Sequence, residues 1–265
     1  MASKIHHLSF TVALAMLVGC ASVPTDETTE WSNEKLVAEA REETTAGNYE
    51  RAIKLYEKLE GRAVGTLVSQ QAQLERSYLL YKTNDKAQAL VILERFIKLH
   101  PTSPALDYAL YLQGLIHFND NLGILGNFVK QDLAERDQQA SRDSYQSLKQ
   151  LVEQFPQSKY APDAIIRMKY ILNSLAAHEV HVARYYFMRG AYVAAANRAQ
   201  QAIQEFPDSP SSEEALALLA GSYDRLGLAP LRDDAQRILQ KNFPQSRFFS
   251  GEKITLQPSR SWKIW

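Results

Sequence analysis

One cysteine, Cys20, serves the whole 265-residue chain. An intramolecular disulfide framework is thereby excluded, and so is any CxxC metal or redox pair. Net charge of either sign is missing too, since 30 Lys+Arg meet 30 Asp+Glu. That balance argues against a nucleic-acid binder, which normally carries a net basic face. It argues equally against intrinsic disorder, which needs low hydrophobicity with high net charge. No apolar run reaches the ~20 residues that span a bilayer as a helix. What remains is ordinary globular composition, 45% hydrophobic and 10% aromatic. The chain is long enough for one long domain or two short ones.

The position of the lone cysteine is informative. Met1 to Val18 has a short basic start, Lys4 with His6 and His7, and then the apolar run Leu8 to Val18. Such a run suits the core of a signal peptide better than a membrane anchor. It ends Leu17-Val18-Gly19-Cys20, which resembles the bacterial lipobox, where the peptide is cut just before a cysteine that becomes acylated. The resemblance implies an N-palmitoyl, S-diacylglycerol cysteine at Cys20; the competing reading is an ordinary secretory signal with a chance cysteine. A free thiol is a liability in an oxidising compartment, and acylation caps it. Several acyl chains on one residue exceed the threshold for stable anchoring. Ala21 stands where lipoproteins retained at the inner membrane usually carry Asp, so the resemblance implies the outer membrane, with the body in the periplasm. The chain thus divides into a signal peptide (1–19), a small, polar and acidic tether (20–30), a folded body (31–246) and a tail (247–265).

The body repeats itself. Phe-Pro-x-Ser occurs at Phe155, Phe206 and Phe243, with a relative at His100-Pro101-Thr102-Ser103. Seventeen positions before each proline stands a small or turn-forming residue, Asn84, Gln139, Gly190 or Gly227, and Gly47 begins the series. The outer intervals are 37 residues, close to the ~34 of a tetratricopeptide repeat; the inner two are longer and carry insertions. The fourth unit fits best, with Ala183, Tyr186, Gly190, Tyr192, Ala195, Ala202 and Pro207 in the small, aromatic, turn and proline positions. In the third, Leu110 and Gly114 fit the first helix. Small residues let antiparallel helices approach, and aromatics fill the gap between layers. The expected fold class is an all-α tetratricopeptide-repeat solenoid of about five helix pairs. Ser103-Pro104 and Ser209-Pro210 read as N-cap plus first helical residue, with Ser211 and Glu214 as an alternative capping box. Asp120 to Gln131, with Gly123 and Gly126 among apolar residues, reads as an ordered loop. Ala161 to Arg189 reads as one long helix, or as two with a kink.

No catalytic constellation emerges. His178-Glu179-Val180-His181 places its histidines three apart, whereas the zinc motif HExxH needs four, so no metal site is expected. Gly123 and Gly126 do not form a phosphate-binding loop. Ser32-Asn-Glu-Lys35 matches SxxK without its companion motifs, and Ser32 reads as an N-cap. The expectation is a non-enzyme without cofactors.

One family shares the combination. Val182 to Arg198, VARYYFMRGAYVAAANR, resembles the signature region of the BamD (ComL) family. Arg142-Asp-Ser-Tyr-Gln-Ser-Leu148, Phe155-Pro-Gln-Ser-Lys-Tyr160, Asp163-Ala164 and Arg167-Met168 agree with it. The resemblance implies a lipid-anchored, periplasm-facing scaffold in the outer-membrane β-barrel assembly (Bam) complex. It would dock on BamA and other Bam lipoproteins and help receive and insert unfolded β-barrel proteins; no nucleic-acid partner is implied. Arg189 and Arg198 fall on the family's Arg-Gly-Ala-Tyr and Asn-Arg positions and are candidates for pairing with a partner carboxylate. Intramolecular pairing with Glu179 or Glu205 is the alternative. Tyr185 and Tyr186 read as core. Tyr49, Tyr56, Tyr78 and Tyr81 are candidates for a peptide groove, although Tyr49 and Tyr56 hold repeat positions that favour the core. A generic repeat lipoprotein of pilus assembly, competence or peptidoglycan maintenance is the other reading, and an envelope hydrolase lacks its nucleophile and base. The tail, with Arg247, Lys253, Arg260 and Lys263 against Glu252, reads as a mobile terminus. The alternative is a basic-aromatic segment that packs on a partner or on anionic lipid.

Overall fold

A computed structural model describes residues 27–118, 138–250 and 253–254. Cys20, the proposed lipobox, most of the tether, the Asp120–Gln131 insertion and the distal tail lie outside the described residues. Ten helices follow one another among them: α1 Asn33–Ala46, α2 Tyr49–Arg62, α3 Leu67–Lys82, α4 Lys86–Leu99, α5 Leu106–His117, α6 Gln138–Gln154, α7 Ala161–Met188, α8 Tyr192–Glu205, α9 Ser212–Arg225 and α10 Ala229–Asn242. A two-residue hairpin, β1 Phe249–Ser250 and β2 Lys253–Ile254, follows them. The chain divides into two compact units, Met1–Ala72 and Gln73–Trp265, so the boundary falls within α3. Ten helices in succession make five pairs, the all-α tetratricopeptide-type class that the repeat implies.

Two kinds of turn build the array, and both are written in the repeat. Within four pairs the chain reverses through a left-handed residue, at Gly47, Asn84, Gly190 or Gly227, with φ of 83, 67, 76 and 72°. The residue after each donates its N–H to the carbonyl five positions back: Asn48 to Glu43, Asp85 to Leu80, Ala191 to Tyr186 and Leu228 to Tyr223, all at 2.8 to 3.0 Å. This bond satisfies a helix-end carbonyl that would otherwise lack a partner. Gln139 is the exception. It lies inside α6, with its side chain donating to Asp143, and the connection 119–137 of the third pair lies outside the described residues.

From the end of α4 onward the Phe-Pro-x-Ser motif closes each pair. The serine N–H donates to the carbonyl of the motif's first residue, His100, Phe155, Phe206 or Phe243, at 2.9 to 3.1 Å. The serine Oγ then accepts from the N–H two residues on, at Ala105, Tyr160, Ser211 and Phe248. The serine carbonyl accepts from the residue after that. These serines therefore cap a tight turn that precedes the helix, rather than the helix itself. That corrects the assignment of Ser103 and Ser209 as N-caps: α5 and α9 begin three residues later, at Leu106 and Ser212. The Ser211–Glu214 box is not formed either, because the Ser211 side chain caps nothing. Ser212 instead donates to the carbonyls of Phe206 and Pro207. Ser32 does cap α1, accepting from Lys35 N at 3.3 Å.

Small residues set the spacing between helices. Gly114 on α5 faces Leu148 on α6 so closely that an added Cβ would lie 2.5 Å from Leu148 Cδ2. Ser144 Oγ donates to the Gly114 carbonyl at 2.8 Å across the same contact. On α8, Ala196, Ala199 and Ala202 meet Val180 and Ala183 of α7 and Leu218 of α9 in one core. A second core joins Leu106 and Leu110 of α5, Leu148 and Leu151 of α6, and Ala164, Ile171 and Leu175 of α7. These two cores explain why α7 is a single unbroken helix of 28 residues. Its first half packs against α6 and its second half against α8. In the first unit Leu36 and Ala40 of α1 are buried with Ala52, Leu55, Tyr56 and Leu59 of α2.

The tail begins as ordered structure, against the expectation of a mobile terminus. Phe248 is buried among Leu216, Ala217 and Leu239, with Phe243 and Phe249 beside it. Arg247 N donates to Glu213 Oε1 at 3.3 Å, and β2 lies against α9.

Candidate docking surface on the seventh and eighth helices

The signature arginines occupy the end of α7 and the middle of α8. Arg198 Nη1 lies 3.1 Å from Glu179 Oε2, with the carboxylate side chain 7% exposed and the arginine 43% exposed. A carboxyl group this buried needs a hydrogen-bonding partner, and Arg198 supplies it. This is the intramolecular pairing weighed from sequence, and it also accounts for Glu179 between the two histidines. Among the described residues no cluster of three or more metal-ligating side chains occurs.

From Arg198 a polar chain runs along one face of α8. Arg198 Nη1 donates to Gln201 Oε1 at 3.4 Å, and Gln201 Nε2 donates to Glu205 Oε1 at 2.9 Å. Glu205 in turn pairs with Arg142 of α6 at 3.5 Å. Two arginines from separate signature strings are thus joined through one network, which spacing alone could not show because α6 and α8 are brought together by the fold. Glu205 also lines a cleft of about 510 Å³ with Tyr145, Met168, Lys169, Leu172 and Pro207. On α7 beside it Ile165, Ile166 and Tyr170 are exposed. An apolar cleft with a charged rim of both signs suits a protein partner.

Arg189 is exposed and its guanidinium sits 5.4 Å from the Tyr185 ring. Tyr185 is itself 40% exposed, so the core reading fails for it; the ring lies on the outside of α7, edge-on to half-buried Tyr186. Arg184, one turn earlier, pairs with Glu214 of α9, which also meets Arg247 at 3.6 Å.

The four groove tyrosines divide between the two units. Tyr56 is 3% exposed in the core of the first pair, which removes it as a groove wall, and Tyr49 is half-buried at the start of α2. Tyr78 and Tyr81 are half-buried in the second unit. Tyr78 belongs to a tyrosine cluster that sequence reading missed. Tyr160 lies 4.7 Å from Tyr111 and 5.5 Å from Tyr108 between ring centroids. Burial pushes the Tyr108 hydroxyl well above the usual phenol range, and nearby Glu75, Tyr160 and Tyr78 add to it. Tyr111 is pushed up by burial and by donating to Asp163 Oδ2 at 2.7 Å. Burial acts to raise the Asp163 carboxyl, but hydrogen bonds from Arg167 and Tyr111 and the Arg167 charge outweigh it and hold it below its ordinary value. The signal for this cluster was present in the α5 periodicity, where Tyr108 and Tyr111 are one turn apart.

No helix among the described residues is long and apolar enough to cross a membrane.

Comparison with known proteins places these features in a family. Residues 29–239 match the family YfiO, described as outer membrane lipoprotein. A protein of Neisseria meningitidis serogroup A named outer membrane protein assembly factor BamD is 44% identical over 263 residues, 96% of this chain and 97% of the relative. Its namesake from Haemophilus influenzae is 33% identical over 239 residues, covering 90% and 91%. Among solved structures, that of MamA protein aligns with a TM-score of 0.38 at 16% identity, over 85% of this chain and 98% of the other.

Proposed function

This chain belongs to the BamD family of outer membrane lipoproteins, and from that premise we propose that it is an outer membrane protein assembly factor of the Bam complex. Its role is that of a scaffold without chemistry of its own. The observation that carries this reading is the end-to-end match to proteins of that name, 96% of this chain at 44% identity. It is anchored in the outer membrane through acylated Cys20 and faces the periplasm. BamA docks on the surface of α7 and α8, where Arg189 projects, Arg198 keeps part of its guanidinium exposed while neutralising Glu179, and the neighbouring cleft offers apolar area. Helix faces bearing half-buried tyrosines, Tyr78 and Tyr81 among them, support an interaction with the aromatic residues of unfolded barrel proteins.

Affinity purification from detergent-solubilised envelopes recovers BamA with this protein, and depletion lowers the level of assembled porins. Failure to recover BamA, with porins assembling normally, removes the proposal in favour of a generic repeat lipoprotein. Arg198→Ala weakens BamA recovery. Because that change also strands buried Glu179, the double variant Arg198→Ala/Glu179→Gln separates the two effects: its fold recovers, and the lost BamA contact does not.

A further inference from the structure

The α2–α3 connection and the start of α3 carry an exposed apolar knob. Val64 is 76% exposed, Leu67 68% and Val68 38%. Isolated exposed apolar side chains need no explanation, but three within five residues, across a short connection and the first turn of α3, do. Several of the connection's polar groups are bonded locally. Ala63 N donates to Leu59 O and Thr66 N to Ala63 O, at 2.9 and 3.1 Å. Thr66 Oγ1 donates to Ala63 O at 2.6 Å and accepts from Ser69 N at 3.2 Å, and Ser69 Oγ donates to Glu60 O at 3.1 Å. Gly65 makes the sharp bend with φ of 79° and open space around it. The result is a locally bonded projection with apolar tips, a shape suited to the membrane interface.

The start of the described chain lies against this same end of α2. Lys58 Nζ donates to Thr28 Oγ1 at 3.0 Å, and Arg62 donates to Thr28 O at 2.8 Å and to Trp31 O at 2.9 Å. Arg62 is the last residue of α2, and the knob begins two residues later. Between Cys20 and Thr28 lie eight residue steps, at most about 28 Å of extended chain. An acyl anchor at Cys20 therefore holds this end of the α1–α2 pair within that distance of the bilayer. Trp31 sits at the same end with Lys35 Nζ 4.3 Å above its ring, an aromatic and a long cation of the kind that favour the headgroup layer.

We infer that the segment 63–68, the connection with the start of α3, is a membrane-contact element, with Val64, Leu67 and Val68 inserting into the interfacial layer of the leaflet that holds the lipid anchor. The inference rests on acylation of Cys20. Its occupant is the lipid surface, because the tether length and exit point bring that surface to this end of the pair whatever else is bound.

The test uses the acylated full-length protein in phosphatidylethanolamine–phosphatidylglycerol vesicles. With the Cys20 thiol blocked by acylation, an introduced cysteine is the only reactive one. Leu67→Cys and Ala46→Cys each receive an environment-sensitive fluorophore; Ala46 lies at the other end of the α1–α2 hairpin, about 20 Å away along α2. The Leu67 probe is expected to shift to shorter wavelength and to be quenched by shallow doxyl-labelled lipids on the order of threefold more than the Ala46 probe, as for groups buried roughly 5–10 Å into the interface. Protein that floats with vesicles while both probes are quenched alike overturns the inference and leaves the anchor standing. Protein that does not float overturns the anchor, and the inference with it.

Discussion

The first and last helix pairs share a turn but are closed by different forces. Both reverse through a left-handed glycine, Gly47 or Gly227, with the same backward hydrogen bond. Beyond that they diverge. The first pair is covered by residues 27–31, whose contacts are polar: Lys58 and Arg62 reach the Thr28 and Trp31 oxygens. The last is covered by residues 243–249, whose central contact is apolar, Phe248 against Leu216, Ala217 and Leu239. Terminal repeats must satisfy a face that interior repeats bury against a neighbour. This chain does so with hydrogen bonds where it leads toward the tether, and with a phenylalanine where the repeats give way to the tail.

The contrast can be broken most strongly at Phe248. Phe248→Ala empties a buried site and is expected to cost about 3 kcal/mol, seen as a lower urea midpoint and as faster amide exchange in α9 and α10. A change confined to the tail would show that the hairpin covers the last pair without supporting it. Next come the two glycines. Gly47→Ala and Gly227→Ala each place a Cβ at positive φ in open space, and each is expected to cost roughly 1–2 kcal/mol. Equal losses leave the difference between the two ends in their covers alone; unequal ones shift it into the turns. Arg62→Met keeps the stem and removes two charge-assisted bonds to carbonyls. Here about 1 kcal/mol is expected, read chiefly as lost exchange protection at residues 28–31 with α1 and α2 little altered.

The smallest effect is a pH dependence away from both ends. Asp163 is held below its ordinary carboxyl value by Arg167 and Tyr111 against the opposing effect of burial. A group depressed in the folded state adds stability above its unfolded value, and that contribution disappears as pH falls through the folded value. Asp163→Asn should therefore lower stability slightly at neutral pH, leave it nearly unchanged below the folded carboxyl value, and so flatten the acid side of the stability profile. The cover of the first pair joins cations to neutral oxygens, so exchange at residues 28–31 should not track the Asp163 titration. If it does, the two are coupled.

Local chemistry was the most legible part of the sequence. Gly47, Asn84, Gly190 and Gly227 were identified as turns because a left-handed residue leaves a compositional trace, and Ser32 as a cap because its spacing to the helix is fixed. Gln139 was misplaced because counting back from Pro156 crosses no marker of where α6 begins. Ser103 and Ser209 were misassigned by one turn: a serine that closes a tight turn and one that caps a helix look alike until the hydrogen bonds are known. Relations between distant residues were the least legible. The link from Arg142 to Arg198 through Glu205 and Gln201 depends on α6 and α8 meeting, and the Tyr111–Tyr160–Asp163 contacts depend on α5 meeting α7. Phe248 looked like part of a loose end because its partners lie on α9 and α10.

The Phe-Pro-x-Ser turn has one more implication. Its first three copies release the chain into a helix and its fourth releases it into a hairpin, with the same proline and serine and the same hydrogen bonds. The joint is therefore indifferent to the element on its far side, and the downstream residues alone decide whether that element is a helix or a strand. A gene that grows by duplication can gain or lose a whole helix pair at such a seam and leave the grammar of the remaining seams intact.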